Sequence, residues 1–124
     1  MTTETKKEYY PNGKIKWEYN YKNGERHGLQ RWWYKSGQLM YEWNYKNEKE
    51  NGLQRGWYPN GQLKGERNYK NGKLHGLQRD WYENGQLEGE SNWQDGEYHG
   101  LSRWWYDNGK LSWERNYKNG ELIK

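Results

Sequence analysis

Leu53-Gln54-Arg55-Gly56-Trp57-Tyr58-Pro59-Asn60-Gly61-Gln62-Leu63-Lys64-Gly65-Glu66-Arg67-Asn68-Tyr69-Lys70-Asn71-Gly72 is the stretch that decides the fold. Leu53 to Tyr58 is a short strand-like run. Pro59-Asn60-Gly61 is turn chemistry: Pro pre-sets the first central position, and Gly supplies the positive φ that follows. Gln62 to Tyr69 is the return strand, and Lys70 to Gly76 forms a wider turn. A helix is ruled out because Gly and Asn interrupt each segment within about eight residues. With a three-residue tight turn, Trp57 pairs with Leu63, Arg55 with Gly65 and Leu53 with Arg67. This register puts Leu53, Trp57, Leu63 and Tyr69 on one face, with Gln54, Tyr58 and Glu66 on the other.

Working outward, the unit recurs every 24 residues, five times, with the block Tyr-x-Asn-Gly-x-Leu starting at Tyr10, Tyr34, Tyr58, Tyr82 and Tyr106. A fixed period of this size signals stacked supersecondary units that bury their apolar faces only against neighbours. The expected fold is all-β: an elongated single-layer antiparallel sheet of about ten strands, built from five stacked β-hairpins. Strands spaced ~4.8 Å apart give ~10 Å per repeat and a sheet roughly 50 Å long. Residues 1–7 are assigned to an N-terminal tail or first edge strand, and 8–124 to the repeat array as one domain.

Only 30% of residues are apolar, and Phe, Val, Ala and Cys are missing. Ten Trp and 13 Tyr at fixed phases separate the chain from disordered polypeptides, which are poor in aromatics. In a single layer these rings must supply the burial by touching the next repeat, and Trp57 and Trp81 are expected to cover the gaps at Gly65 and Gly89. The net charge is +4, with acids beside the bases in every repeat, which argues against a nucleic-acid stripe. No apolar run approaches a membrane span, and Met1 to Lys7 carries no hydrophobic signal segment, so the expected location is the cytoplasm without membrane insertion.

The extended block Tyr-x-Asn-Gly-x-Leu-x-x-Glu-x-Asn-Tyr-Lys-Asn-Gly-x-x-His-Gly is carried by Tyr58 to Gly76 and Tyr82 to Gly100, with close copies from Tyr10 to Gly28 and Tyr34 to Gly52. It resembles the MORN-repeat variant of bacterial proteins, many of which are labelled YwqK-type antitoxins. The resemblance implies sheets of consecutive hairpins and no catalytic residues. It implies either an antitoxin- or immunity-like module that masks a partner protein, such as a toxin, or a structural or adhesin-associated scaffold. Ten Trp with no Phe leaves a natural fragment and an engineered array both open. Glu48 replaces the glycine found at Gly24, Gly72, Gly96 and Gly120, and Asn51 replaces a histidine, so the second wide turn is expected to be reshaped.

Candidate chemistry is sparse. His27, His75 and His99 share one phase of the wide turn, so copies ~10 Å apart do not share a metal ion, whose ligands lie within about 2.1 Å of it. Turn packing is the expected role, with no metal and no cofactor. Glu18, Glu42, Glu66, Glu90 and Glu114 form a ladder expected to face Gln30, Gln54 and Gln78, in surroundings too alike for an acid and a base. No enzyme is expected.

Positions that break the pattern carry the binding candidates. The residue before the regular Trp is Trp32, Gly56, Asp80 or Trp104, expected opposite Met40, Lys64, Glu88 and Ser112 respectively. Asp80 opposite Glu88, with Glu90 nearby, would form an acidic patch. Trp32 and Trp104 with Tyr34, Tyr58, Tyr82 and Tyr106 would form a contact strip for a protein partner. The terminal strands, near Lys6 to Tyr10 and Leu111 to Tyr117, leave open edges for end-to-end self-association.

Overall fold

The protein, seen in a computed structural model describing residues 2–123, is all β. Its fifteen strands form one antiparallel sheet. Ten are long: β1 (Thr3–Tyr9), β2 (Ile15–Lys22), β4 (Gly28–Trp33), β5 (Leu39–Lys46), β7 (Gly52–Trp57), β8 (Leu63–Lys70), β10 (Gly76–Trp81), β11 (Leu87–Gln94), β13 (Gly100–Trp105) and β14 (Leu111–Lys118). They lie side by side in chain order, followed by β15 (Glu121–Ile123). The short strands β3 (Glu25–Arg26), β6 (Lys49–Glu50), β9 (Lys73–Leu74) and β12 (Glu97–Tyr98) fold each wide turn back onto the strand just completed. The period foretells the ten long strands but not these short returns.

Each hairpin closes as its turn chemistry requires. Tyr58 N–H donates to Gln62 O at 2.8 Å and Gly61 N–H to Tyr58 O at 2.9 Å, with Gly61 at φ +88°. The Asn60 side chain accepts from Gln62 N–H at 2.9 Å, an Asx turn that locks the loop. Trp57 pairs with Leu63 as expected, but the next pair is Gly56 with Gly65, so Lys64 is an extra residue in a β-bulge. The bulge shifts the rest of the ladder by one. Arg55 faces Glu66 rather than Gly65, Leu53 faces Asn68 rather than Arg67, and Tyr69, opposite Gly52, lies on the face away from Leu53.

The bulge sets the chemistry of both faces. One carries a charge ladder in which each Glu faces Arg, not Gln: Glu18, Arg31, Glu42, Arg55, Glu66, Arg79, Glu90, Arg103 and Glu114 are successive cross-strand neighbours. Arg31–Glu42, Arg55–Glu66, Arg79–Glu90 and Arg103–Glu114 are ion pairs of 2.9, 3.0, 2.9 and 2.7 Å. Opposite charges directly across a sheet stabilise it by roughly 0.2–1 kcal/mol per pair. The other face carries most of the aromatic rings.

Within a hairpin β7 and β8 pair along six positions, but β5 and β7, in successive hairpins, pair only at Tyr41–Gly56 and Glu42–Arg55. Beyond that the strands part, and side chains bridge the gap. The Gln54 amide accepts from Asn44 N–H at 2.7 Å and donates to Asn44 O at 2.8 Å, standing in for a backbone partner. Asn44 Nδ2 donates to Leu53 O at 2.7 Å. Gln30 and Gln78 repeat the bracket on Asn20 and Asn68. Gln30, Gln54 and Gln78 are accordingly buried, and Tyr45 is the one buried hydrophobic residue among those described. The interior of this sheet is an amide seam under half-covered rings. Ser102 takes the Gln place at the last joint, and its hydroxyl is buried without a partner.

Candidate interaction surface

Trp17, Trp32, Tyr41, Gly56, Gly65, Asp80, Gly89, Trp104 and Trp113 are successive Cα partners across the sheet, so they form one row on the aromatic face. Trp32 is thus opposite Tyr41 rather than Met40, and Trp104 opposite Trp113 rather than Ser112. Asp80 is opposite Gly89 rather than Glu88, which is the extra residue of its bulge. The acidic patch does not form as expected: Asp80 is engaged by Arg67 at 2.9 and 3.3 Å, and Glu90 by Arg79 on the charged face.

The four expected strip tyrosines divide differently. Tyr34, Tyr58 and Tyr82 are half-buried struts whose hydroxyls donate to Trp57 O, Trp81 O and Trp105 O at 2.8, 2.7 and 2.7 Å, tying each tight turn to the next hairpin. Desolvation raises all three phenols above the ordinary tyrosine value. Tyr106 is exposed at 55%. The structure therefore does not gather these tyrosines with the tryptophans into one strip.

Trp32 sits in a cluster with Tyr19, Tyr41 and Trp43 at ring separations of 5.3, 6.3 and 5.6 Å, its indole N–H donating to Tyr19 Oη at 2.8 Å. Trp104 lies on the Gly89 backbone; a Cβ there would be 2.0 Å from its ring. Gly89 is therefore covered by Trp104, not Trp81, and Gly65 by the Asp80 carboxylate and Arg67 guanidinium, not Trp57.

Between these clusters the row is interrupted. Above Gly56 and Gly65 lies a cavity of about 190 Å³, walled by Tyr41, Trp43 and Tyr69, with Gln54 also lining it and Glu50, Lys64 and the Arg67–Asp80 pair around it. Sequence reasoning missed Tyr41, Trp43, Tyr69 and Glu50. The signal was the simultaneous loss of bulk at 56 and 65, where other repeats carry Trp32 or Trp104 and Trp17, Tyr41 or Trp113.

The wide turns are held by repeat-to-repeat contacts. Nδ1 of His27, His75 and His99 faces the N–H of Asn47, Asp95 and Asn119 at 3.4 Å each, and Asn51 Oδ1 takes the same place toward Asn71 N–H at 3.5 Å. Glu48 does not reshape its turn. It keeps the left-handed backbone of the glycines it replaces, at φ +70° against +80° for Gly24. Its carboxylate accepts from Arg26 N–H at 2.7 Å and Arg26 Nε at 2.6 Å. Those bonds, the backbone one first, lower the Glu48 carboxyl below the usual range, and the side-chain bond to Glu48 raises Arg26.

Residues 5–23, 26–47, 50–71, 74–95 and 98–119 each match the MORN repeat variant. No curated protein matches the sequence.

Proposed function

This chain belongs to the MORN repeat variant family, and from that premise we propose a non-catalytic protein-interaction module that binds through its aromatic face. The observation supporting this reading is the asymmetry of the two faces. One carries a self-satisfied ladder of Arg–Glu pairs, with Trp33, Trp57, Trp81 and Trp105 paired with leucines beside the tight turns. The other presents half-covered Trp and Tyr around a central hollow. Large rings that remain partly in water carry unspent hydrophobic burial, and such residues dominate binding energy at interfaces.

The test is affinity capture from the source cells with three baits: the wild-type chain, Trp43→Leu on the aromatic face and Glu66→Gln on the charged face, each checked for folding by circular dichroism. A stoichiometric partner retained by wild type and Glu66→Gln but lost with Trp43→Leu supports the reading. Capture of nothing, or equal capture by all three, removes it.

The narrower reading is antitoxin- or immunity-like masking of a growth-inhibiting partner, supported by the likeness of the repeat block to antitoxin-labelled proteins. Relief of growth inhibition on co-expression with that partner tests it. The alternative is a scaffold that also associates end to end; the exposed Leu111, Leu122 and Ile123, at 50, 50 and 45%, favour it. A sedimentation coefficient independent of concentration would dispose of end-to-end association.

A further inference from the structure

We infer that the cavity above Gly56 and Gly65 is a receptor for a guanidinium group, presented by an arginine side chain of a partner protein; this rests on the interaction-module reading and specifies what its centre recognises.

The cavity differs from its neighbours in the same array. Tyr21, Tyr45, Tyr69, Trp93 and Tyr117 occupy one phase of the repeat. Lys6 lies over Tyr21 at 5.1 Å and Arg26 over Tyr45 at 4.5 Å. Tyr98 packs on both Trp93 and Tyr117 at 4.1 and 4.7 Å. Tyr69 alone of these five has no cation or ring on its face among the described contacts, and it is the one that walls the cavity.

The hollow one repeat earlier is lined by Tyr19, Arg26, Gln30 and Trp32, and the later cavity by their counterparts Trp43, Glu50, Gln54 and Gly56. Three exchanges separate them, and the first, Tyr19 to Trp43, keeps an aromatic ring in place. Trp32 becomes Gly56, which removes an indole and leaves bare backbone at the floor of the cavity. Arg26 becomes Glu50, which removes the internal cation and leaves a carboxylate. Arg26 shows what this phase accepts: a guanidinium over a tyrosine ring with a carboxylate bonded to it, supplied there by Glu48. At Tyr69 the ring is present, Glu50 puts a carboxylate at the repeat position of that guanidinium, and Gly72 stands at the position of Glu48.

The surrounding charges agree. Arg67 is neutralised by Asp80. Lys64 lies over the Tyr58 ring, 5.7 Å from its centre. Arg55 is paired with Glu66 on the opposite face. Glu50, half-buried, has no ion-pair partner among the described residues. A carboxylate beside partly desolvated rings is left without a counter-charge, and a planar cation stacked on an aromatic face satisfies both groups.

The experiment uses the whole chain and three capped tripeptides, Gly-Arg-Gly, Gly-citrulline-Gly and Gly-Glu-Gly, with the indole N–H of Trp43 followed by NMR and assigned through Trp43→Phe. Citrulline keeps the shape of arginine without its charge. The expected result is a saturable shift of the Trp43 signal with the arginine peptide alone, weakened about three- to fivefold by Glu50→Gln. Thermal melting of Glu50→Gln confirms that its fold is retained. Equal shifts with citrulline, shifts spread over other indoles, no shift at all, or an unchanged affinity in Glu50→Gln would each overturn the assignment. If the peptide fails while capture still depends on Trp43, the guanidinium site falls and the interaction module stands. Failure of both ends both readings.

Discussion

Replacing Gln54 by Ala removes the bracket that joins the second hairpin to the third. Two good hydrogen bonds are lost, from Asn44 N–H at 2.7 Å and to Asn44 O at 2.8 Å, and both Asn44 backbone groups lose their partner in a half-buried place. A net hydrogen bond is worth about 0.5–1.5 kcal/mol and a stranded buried group costs about 1–3, so the expected loss is about 2–3 kcal/mol. Gln54→Met keeps most of the volume and separates the polar part from packing. Ser102→Ala is the internal control: the same phase and a completely buried site, but a hydroxyl with no partner, so its removal should cost less than about 0.5 kcal/mol. Urea denaturation followed by circular dichroism gives the stabilities, and native-state hydrogen exchange gives the local effect. The Asn44 amide should exchange about 30- to 150-fold faster in Gln54→Ala. Because repeat arrays are held by neighbour terms, weakening a central joint should also broaden or split the unfolding transition. A Gln54→Ala protein within about 0.5 kcal/mol of wild type, or a Ser102→Ala protein damaged as much as Gln54→Ala, would refute the bracket as the joint's main fastening.

Gly89→Ala would place a methyl group 2.0 Å from the Trp104 ring, so the indole must leave its seat; a loss of about 1–3 kcal/mol and a changed near-ultraviolet circular dichroism spectrum are expected. Gly56→Ala meets only the Tyr41 edge at 3.0 Å and should cost less in the same melts. The folded-state pKa of Glu48 is depressed, so its contribution is present above the unfolded carboxyl value and lost as pH falls through the folded one. Glu48→Gln should therefore flatten the acid limb of the stability-against-pH curve, and an unchanged limb counts against the Arg26 pairing. The phenols of Tyr34, Tyr58 and Tyr82 are raised in the fold, so their contribution is complete below the ordinary tyrosine value and declines as pH climbs through the folded values. Tyr58→Phe should cost about 1 kcal/mol at neutral pH and lessen alkaline destabilisation, as measured by thermal melting across that range.

The hairpin array is legible from Tyr-x-Asn-Gly-x-Leu because turn chemistry and period act locally. The register is not, because the bulge at Lys64 adds one residue and exchanges the faces of everything beyond it. A clue was available: Arg at 31, 55, 79 and 103 and Glu at 18, 42, 66, 90 and 114 recur with opposite charge, and only a one-residue offset brings them together. The tyrosines of the block look like contact residues because aromatics are sticky. Their hydroxyl bonds to the next hairpin depend on a distance between repeats that no local pattern states. The cavity is harder still, since it consists of what Gly56, Gly65 and Glu50 leave out relative to the other repeats.

The contrast between six paired positions inside a hairpin and two between hairpins has a mechanical consequence. Each hairpin is a stiff slat, and each joint before the last is a narrow hinge laced by a glutamine, an asparagine and a tyrosine hydroxyl. Pulled across its strands, the blind parts slat from slat before any slat unravels. The last hinge, where Ser102 stands in the place of glutamine and its hydroxyl bonds to nothing, gives first.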